Sequence, residues 1–144
     1  MINIREMKLA DYDSVITLMK QTQGVTVRDA DSYEATARYL ERNPGLSFVA
    51  EQTGTIVGCV MCGHDGRRGY LQHLIVGPEQ RGKGIAQKMV LLCIEHLESL
   101  GIVKTHIDVL ITNQTAIQYW VNRGWKKRDD IVRFSFIKSK NNNA

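Results

Sequence analysis

The N-terminal part of the chain repeats its apolar positions with two different periods. A period of two at Ile2–Arg5 predicts a short strand. After about Asp11 the period becomes three to four, which predicts a helix with Val15, Leu18 and Met19 on its buried face. The chain therefore begins with a strand that leads into an amphipathic helix.

A second helix is predicted after a polar connection. Asp31 and Glu34 have the three-residue spacing of a capping box, which predicts that this helix opens at Asp31. The turn residues Asn43, Pro44 and Gly45 predict its end, because Pro and Gly interrupt helices.

The middle of the chain reads as a hairpin, a central strand and a long helix. The apolar runs 46–51 and 55–62 flank the turn signal 52–54, which predicts a β-hairpin. The run 70–76, YLQHLIV, is apolar on both faces and predicts a central strand covered on both sides. The apolar period of 85–100 then predicts a helix.

The C-terminal part predicts a strand at 104–111, a short helix at Thr115–Arg123 and one or two closing strands at 125–137. Strands and helices thus alternate after an early hairpin. This order predicts an α/β (α+β) fold in which a mixed sheet carries helices on both faces.

Composition is that of an ordinary globular domain, with 43% hydrophobic and 24% charged residues among 144. We expect one domain over 1–137 and a disordered tail at 138–144. The chain has no export signal and no long apolar run, which predicts a cytoplasmic protein without a membrane partner. Its net charge of +4 is scattered, and without a nucleic-acid-binding signature no nucleic-acid partner is expected.

Three cysteines are predicted to be free thiols, because their number is odd and no export signal precedes them. Cys59 and Cys62 form a CxxC within a predicted strand, where a separation of three places the two side chains on opposite faces. Since no second ligand pair accompanies them, no metal site is predicted.

The stretch GPEQRGKG, Gly77–Gly84, lies where the central strand gives way to a helix. It matches G-x-x-x-x-G-K, but Gly84 stands where a phosphate loop needs Ser or Thr to bind magnesium. A dinucleotide fingerprint that begins at Gly82 fails as well, because Gln87 stands where its third glycine should be. Neither nucleotide motif is therefore complete.

Both failed motifs share an anion-binding turn with this stretch. Gly82 and Gly84 let a ligand approach the backbone, the amides of the helix start point at one spot, and Arg81 and Lys83 add positive charge. This predicts a site for a phosphate or pyrophosphate. The alternative is a turn that needs glycine only for its dihedral angles.

Two separated motifs resemble the GNAT superfamily of acetyl-CoA-dependent N-acetyltransferases. Residues 81–86, RGKGIA, resemble R/Q-x-x-G-x-G/A, and residues 113–125 resemble N-x-x-A-x-x-x-Y-x-x-x-G-F. The resemblance spans residues of about 2–137. Within the superfamily, the chain resembles a small single-domain bacterial subgroup whose members mostly lack an assigned substrate. It implies a GNAT-like, mostly antiparallel sheet of about six to seven strands.

The resemblance implies acetyl-CoA as the cofactor. The main chain of 74–76 would pair with the pantetheine arm, and the amides of 82–87 would hold the pyrophosphate. Asn113 would contact the pantetheine, although Asn before a helix is also a common N-cap. The implied cofactor-binding residues are Leu74, Ile75, Val76, Arg81, Gly82, Lys83, Gly84, Ile85, Ala86, Gln87, Asn113 and Trp120.

The resemblance leaves the acid and the base open. Trp120 stands where the family often has a tyrosine acid, and an indole N–H cannot act as one, so the neighbouring Tyr119 is the candidate. Departure of the thiolate without an acid is the alternative. His73 titrates in the range of a base, but strand alternation points it away from the face of Val76, and a β-bulge would reverse that. A water chain to solvent is the alternative base.

The acceptor pocket is implied at the loop before the central strand and at the connection between the first two helices. Asp29 or Asp65 would pair with a cationic amine, and Arg67 or Arg68 with a carboxylate. Each of these charges has the alternative of a solvated loop position. The other implied pocket residues are His64, Tyr70 and Gln72.

Two functions remain open. The first is an N-acetyltransferase that moves an acetyl group from acetyl-CoA to a small-molecule or peptide amine by direct transfer in a ternary complex. The second is a non-catalytic acyl-CoA-binding sensor or partner subunit, which Trp120 and the absence of a carboxylate base keep open. In either case the protein is expected to be a monomer or a homodimer.

Overall fold

A computed structural model of the protein describes residues 1–141 and 143–144. The chain forms two compact units, Met1–Ile107 and the segment from Asp108 onward. The helices and strands, in chain order, are β1 (Ile2–Glu6), α1 (Tyr12–Lys20), α2 (Tyr33–Arg42), β2 (Phe48–Gln52), β3 (Thr55–His64), β4 (Gly69–Val76), α3 (Ile85–Ser99), β5 (Thr105–Ile107) and α4 (Gln114–Asn122). The domain 1–137 and the tail 138–144 stay predictions, and Asn142 lies outside the described residues.

The first unit contains a five-stranded sheet in the order β1-β2-β3-β4-β5. Neighbouring strands from β1 to β4 are antiparallel, and β5 pairs with β4 in parallel. This confirms a mixed, mostly antiparallel sheet.

The prediction of six to seven strands was wrong, because the sheet has five strands. The segment 125–137, predicted to close the sheet, contains no strand among the described residues. Phe134 and Phe136 are each 91% exposed there. Alternating apolar residues favour an extended chain, but a strand exists only where a second strand accepts its hydrogen bonds.

Helix α1 packs on one face of the sheet. Val15, Leu18 and Met19 are buried, as the apolar period predicted, in a cluster that includes Val49 of β2 and Cys59 of β3. Burial of these side chains ties α1 to the middle of the sheet, since each fully buried aliphatic residue contributes about 1.5–3 kcal/mol.

Helix α3 packs on the residues that point the other way. An added Cβ at Gly58 would lie 3.4 Å from the end of Met89, and one at Gly69 would lie 2.6 Å from Leu97. The Cys93 thiol donates a hydrogen bond to the Leu46 carbonyl at 3.4 Å. The sheet therefore carries helices on both faces, as predicted, and α3 approaches β3 and β4 where they have no side chain.

Helix α2 begins one residue later than the capping box predicted. Its N-cap is Ser32, whose hydroxyl accepts a hydrogen bond from the amide of Ala35 at 3.1 Å. Asp31 is instead the last residue of a 3-10 turn, Asp29–Asp31. The prediction for Asp31 was wrong because a serine at the next position can satisfy the same helical amides.

The three cysteines are free and buried, as predicted. Burial raises the pKa of Cys59 to about 12. A hydrogen bond with Cys62 and burial raise the pKa of Cys93. Among the described residues, no group of His, Cys, Asp and Glu side chains could hold a metal ion. In that same part of the chain, no helix has both the length and the apolar character needed to cross a membrane.

Candidate active site

The turn between β4 and α3 depends on two glycines. Gly82 has φ +80 and Gly84, the N-cap of α3, has φ +78, a region that residues with a Cβ rarely adopt. A Cβ added at either position would meet no described atom within 4 Å. The dihedral angles therefore require glycine here, and the turn also leaves its backbone accessible.

The first turn of α3 presents backbone amides to this spot. Helix geometry gives the amides of Gly84, Ile85, Ala86 and Gln87 no intrahelical acceptor, and no side chain caps the helix start. Because the helix dipole is positive at this end, the turn can hold an anionic group through its amides. The residues predicted for a phosphate site are thus brought together.

Three basic residues, Arg81, Lys83 and Lys88, lie at or beside this turn. Lys83 and Lys88 border a cavity of about 310 Å³, which is also lined by Met1, Ile2, Ile4, Gln52 and Ile85. The Nε of Arg81 donates a hydrogen bond to the Val76 carbonyl at 3.0 Å. This bond ties Arg81 to the end of β4, and the side chains of Arg81, Lys83 and Lys88 are all exposed.

Strand β4 is paired with β5 over only part of its length. The parallel ladder joins Gly69, Tyr70 and Leu71 to β5, whereas β4 continues to Val76. The main chain of Gln72–Val76 therefore has an edge that β5 does not cover. Such an edge can accept an extended ligand through main-chain hydrogen bonds.

A β-bulge interrupts β4 at His73. Cys59 pairs with Ile75 and Met61 pairs with Gln72, so β4 contains one more residue than β3 between these two pairs. His73 has φ +50, in the left-handed region. The bulge that would redirect His73 is therefore present.

His73, at the bulge, contacts Asp31. The imidazole Nε2 lies 2.8 Å from Asp31 Oδ1, and the two side chains are 20% and 10% exposed. Burial acts to raise the pKa of Asp31, but hydrogen bonds from His73 and from the Arg28 amide outweigh it, so the pKa lies below its usual value. Asp31 is thus an ionised partner of the candidate base, a role that the sequence did not predict.

In the second unit, Asn113 caps α4. Its Oδ1 accepts a hydrogen bond from the Ala116 amide at 3.1 Å, which confirms the N-cap and leaves the Nδ2 group as its remaining donor. Trp120 is buried, with Tyr119 and Trp125 edge-on at ring distances of 5.2 and 4.7 Å. Tyr119 is half-buried beneath the guanidinium of Arg123.

The loop between β3 and β4 gathers several of the predicted pocket residues. Asp65 Oδ1 accepts the amides of Arg67 and Arg68, each at 2.8 Å. Hydrogen bonds from these amides, chiefly from that of Arg68, hold the pKa of Asp65 below its usual value. The Tyr70 hydroxyl reaches Asp65 Oδ2 at 3.5 Å, and His64 Nδ1 accepts the Gly66 amide at 2.9 Å. Asp65 therefore shapes the loop.

The remaining pocket candidates are exposed. Gln72 lies on β4 next to the bulge, and Asp29 begins the 3-10 turn that ends at Asp31. Asp29 thus shares its turn with the partner of His73, whereas Arg67 lies on the loop between β3 and β4.

The model of the acetyltransferase (GNAT) family matches residues 12–125. An acetyltransferase of Pectobacterium atrosepticum is 35% identical over 116 residues, which cover 81% of this chain and 82% of that protein. The chain belongs to the acetyltransferase (GNAT) family. This GNAT chain is also 30% identical over 131 residues to an acetyltransferase of Sodalis glossinidius, with 91% of this chain and 92% of that protein covered.

A solved structure shares the fold of this GNAT chain. The PaiA N-acetyltransferase of Thermoplasma acidophilum, in complex with coenzyme A, matches 90% of this chain and 92% of its own with a TM-score of 0.80 at 19% identity. The family places the protein among the acyltransferase enzymes, as the two motifs predicted.

The match to the GNAT family, over residues 12–125, covers features of both units. It includes the turn 82–87, the bulge at His73 and the segment 113–125. Asp31 is the residue that sequence reasoning missed, because 42 positions separate it from His73. No local pattern signals such a contact.

Proposed function

We propose that this GNAT protein is an N-acetyltransferase that moves an acetyl group from acetyl-CoA to an amine of a small molecule or peptide, by direct transfer in a ternary complex. One observation carries the proposal: a backbone turn suited to a phosphate group lies directly after a strand whose edge is free of β5. A ligand that joins a pyrophosphate to an extended arm has the shape for both.

The residues present fit this cofactor. The amides of Gly82–Gln87 would hold the pyrophosphate, with Lys83 adding charge, and the main chain of Leu74–Val76 would pair with the pantetheine arm. Nδ2 of Asn113 would donate to the arm while Oδ1 caps α4. Trp120, which is buried, would form an apolar boundary.

His73 is the proposed base. Acetyl-CoA supplies a thioester carbonyl that a neutral amine attacks, so that a C–N bond forms and the C–S bond breaks. His73 would accept the proton that the amine loses, through the imidazole nitrogen that carries a lone pair. Tyr119 would donate a proton to the departing thiolate, or the thiolate would take one from solvent.

The acceptor is proposed to enter near the loop between β3 and β4 and the turn at Asp29. Asp29 and Asp65 would attract a cationic amine, and Arg67 would attract an acceptor carboxylate. The other proposed lining residues are His64, Tyr70 and Gln72. Asp65 already accepts two loop amides through Oδ1, so its Oδ2, which the Tyr70 hydroxyl reaches at 3.5 Å, is the oxygen that an acceptor would contact.

A non-catalytic acyl-CoA-binding protein is the second candidate. It is favoured by Trp120, which stands where the family motif has a tyrosine and is packed against Trp125. The two candidates share cofactor binding and differ in turnover.

Calorimetric titration with acetyl-CoA tests the cofactor, with ATP as the competing phosphate ligand. Gly84→Glu should abolish binding, because a carboxylate would face the turn amides. Gly54→Glu is the matched control: Gly54 also has φ +78 and no described atom within 4 Å of an added Cβ, but it lies in the β2–β3 hairpin. Both variants place a glutamate at the same positive φ, so loss of binding in Gly84→Glu alone locates the site.

An amine screen with detection of free thiol then tests turnover. Acetylation of one amine well above the rate in buffer would exclude the non-catalytic alternative. A failure to bind acetyl-CoA, or a preference for ATP, would overturn the acetyltransferase proposal.

A further inference from the structure

We propose that Asp31 is a positioning residue for His73, whose carboxylate fixes the imidazole in the tautomer with its proton on Nε2 and its lone pair on Nδ1. The inference rests on the proposed function, because it gives His73 the role of base. It extends that function to a residue outside the two family motifs.

The contact itself determines the tautomer. Nε2 of His73 lies 2.8 Å from Oδ1 of Asp31, a distance typical of a strong hydrogen bond. An ionised carboxylate only accepts hydrogen bonds, so Nε2 must carry the proton. A neutral imidazole has one N–H and one lone pair, and the lone pair is therefore on Nδ1.

The position of Asp31 is itself fixed by two other contacts. Its second carboxylate oxygen, Oδ2, accepts the Arg28 amide at 2.9 Å, and its main-chain carbonyl accepts the Tyr12 hydroxyl at 2.6 Å. The residue is buried. With both carboxylate oxygens engaged, the side chain cannot rotate away from His73 without leaving a buried acceptor unpaired.

The backbone of His73 is held in a conformation that is costly for a histidine. Its φ of +50 lies in the left-handed region, which is unfavourable for a residue with a Cβ. The thiol of Cys59 donates to the His73 carbonyl at 3.3 Å and supports this geometry from β3. Strain of this kind persists where surrounding contacts over-determine it, and it often marks functional residues.

The substitution Asp31→Asn tests the role. The asparagine oxygen can still accept the Arg28 amide, but its NH₂ group then faces Nε2. The ring then places its lone pair on Nε2 and its proton on Nδ1, so that Nδ1 can no longer accept a proton. We expect kcat to fall about 10²-fold or more while the KM for acetyl-CoA is unchanged.

The assays use acetyl-CoA and the best acceptor from a panel that contains a polyamine, an amino sugar and a peptide with a free N-terminus. Asp31→Glu restores the carboxylate and should recover part of kcat. Glu34→Gln is the matched control, because it removes a negative charge three residues away from an exposed position of α2. It should leave kcat unchanged.

Nitrogen NMR of the His73 ring reads the tautomer directly. The wild-type protein should show a protonated Nε2 and an unprotonated Nδ1, and Asp31→Asn should reverse them. Because the wild-type measurement needs no substitution, it is decisive even if Asp31→Asn fails to fold.

The outcomes separate this inference from the proposed function. A wild-type ring with its proton on Nδ1, or Asp31→Asn with wild-type kcat, overturns the role of Asp31 and leaves the acetyltransferase standing. A wild-type protein that binds acetyl-CoA but acetylates no amine overturns the catalytic proposal and, with it, the positioning role.

Discussion

Arg5 and Asp11 form a two-point ion pair between β1 and the turn that precedes α1. Nη1 of Arg5 lies 2.9 Å from Oδ2 of Asp11, and Nη2 lies 2.8 Å from Oδ1. The amide of Lys8 also donates to Oδ2 at 2.8 Å, and Arg5 reaches Glu51 on β2 at 3.2 Å. The pair therefore connects the first strand to the start of the first helix.

This pair predicts a pH-dependent contribution to stability. The hydrogen bond from Arg5 is the main reason that the pKa of Asp11 lies below its usual value. The stabilisation is therefore present above the unfolded pKa of about 3.9 and is lost as the pH falls through the lower folded pKa. Asp11→Asn should cost about 2 kcal/mol of unfolding free energy at pH 7. Urea denaturation should show a smaller penalty at about pH 3, and an equal penalty at both pH values would contradict the assignment.

Asn113 should separate helix capping from cofactor binding. Asn113→Ala removes the acceptor for the Ala116 amide and should cost about 1 kcal/mol of unfolding free energy. Asn113→Asp keeps the cap but replaces the Nδ2 donor, so thermal stability should hold while the affinity for acetyl-CoA falls about tenfold. Ser32→Ala is the control, because it removes the cap of α2 and should leave the affinity unchanged. If Asn113→Asp binds as the wild type does, Asn113 is a cap alone.

Removing the hydroxyl of Tyr39 should stabilise the folded protein. Among the described residues, this hydroxyl is buried without a hydrogen-bond partner. Since an unpaired buried polar group costs about 1–3 kcal/mol, Tyr39→Phe should raise the unfolding free energy by about 1 kcal/mol. Tyr12→Phe is the matched comparison and should lower it, because the Tyr12 hydroxyl donates to the Asp31 carbonyl at 2.6 Å. Chemical denaturation of both variants measures these two free energies. A loss of stability in Tyr39→Phe would show that the Tyr39 hydroxyl has a hydrogen-bond partner.

The three thiols should be unreactive in the folded protein. All three cysteines are buried, and burial raises the pKa of Cys59 to about 12. Because the thiolate is the reactive form, a colorimetric disulfide reagent at about pH 8 should label none of them before denaturation and all three afterwards. A thiol that reacts quickly in the native protein would show that its segment opens readily.

Features that depend on neighbouring residues were predictable from the sequence. The buried face of α1 follows from a period of three to four, and the turn at Gly82 and Gly84 follows from glycine's access to positive φ. The cap at Asn113 is equally local, since its partner is three residues away. Each of these needs only the conformational preferences of a short segment.

Features that depend on distant partners were not predictable from the sequence. The prediction of closing strands at 125–137 failed because alternation alone supplies no partner strand. The prediction of an Asp31 cap failed for a local reason, because the adjacent Ser32 competes for the same amides. A bulge at His73 could be anticipated only as one option, since the register of β3 against β4 is set by packing over the whole sheet.

By itself, the sequence determined the order of the elements from β1 to α4, the glycine turn and the two motifs that indicate an acyltransferase of the GNAT family. The tertiary structure alone decided that the sheet has five strands and that β4 bulges. It also decided that His73 contacts an aspartate 42 positions away. The physical reason is that dihedral preference and hydrophobic period act within a few residues, whereas strand register and buried ion pairs arise when distant segments pack together.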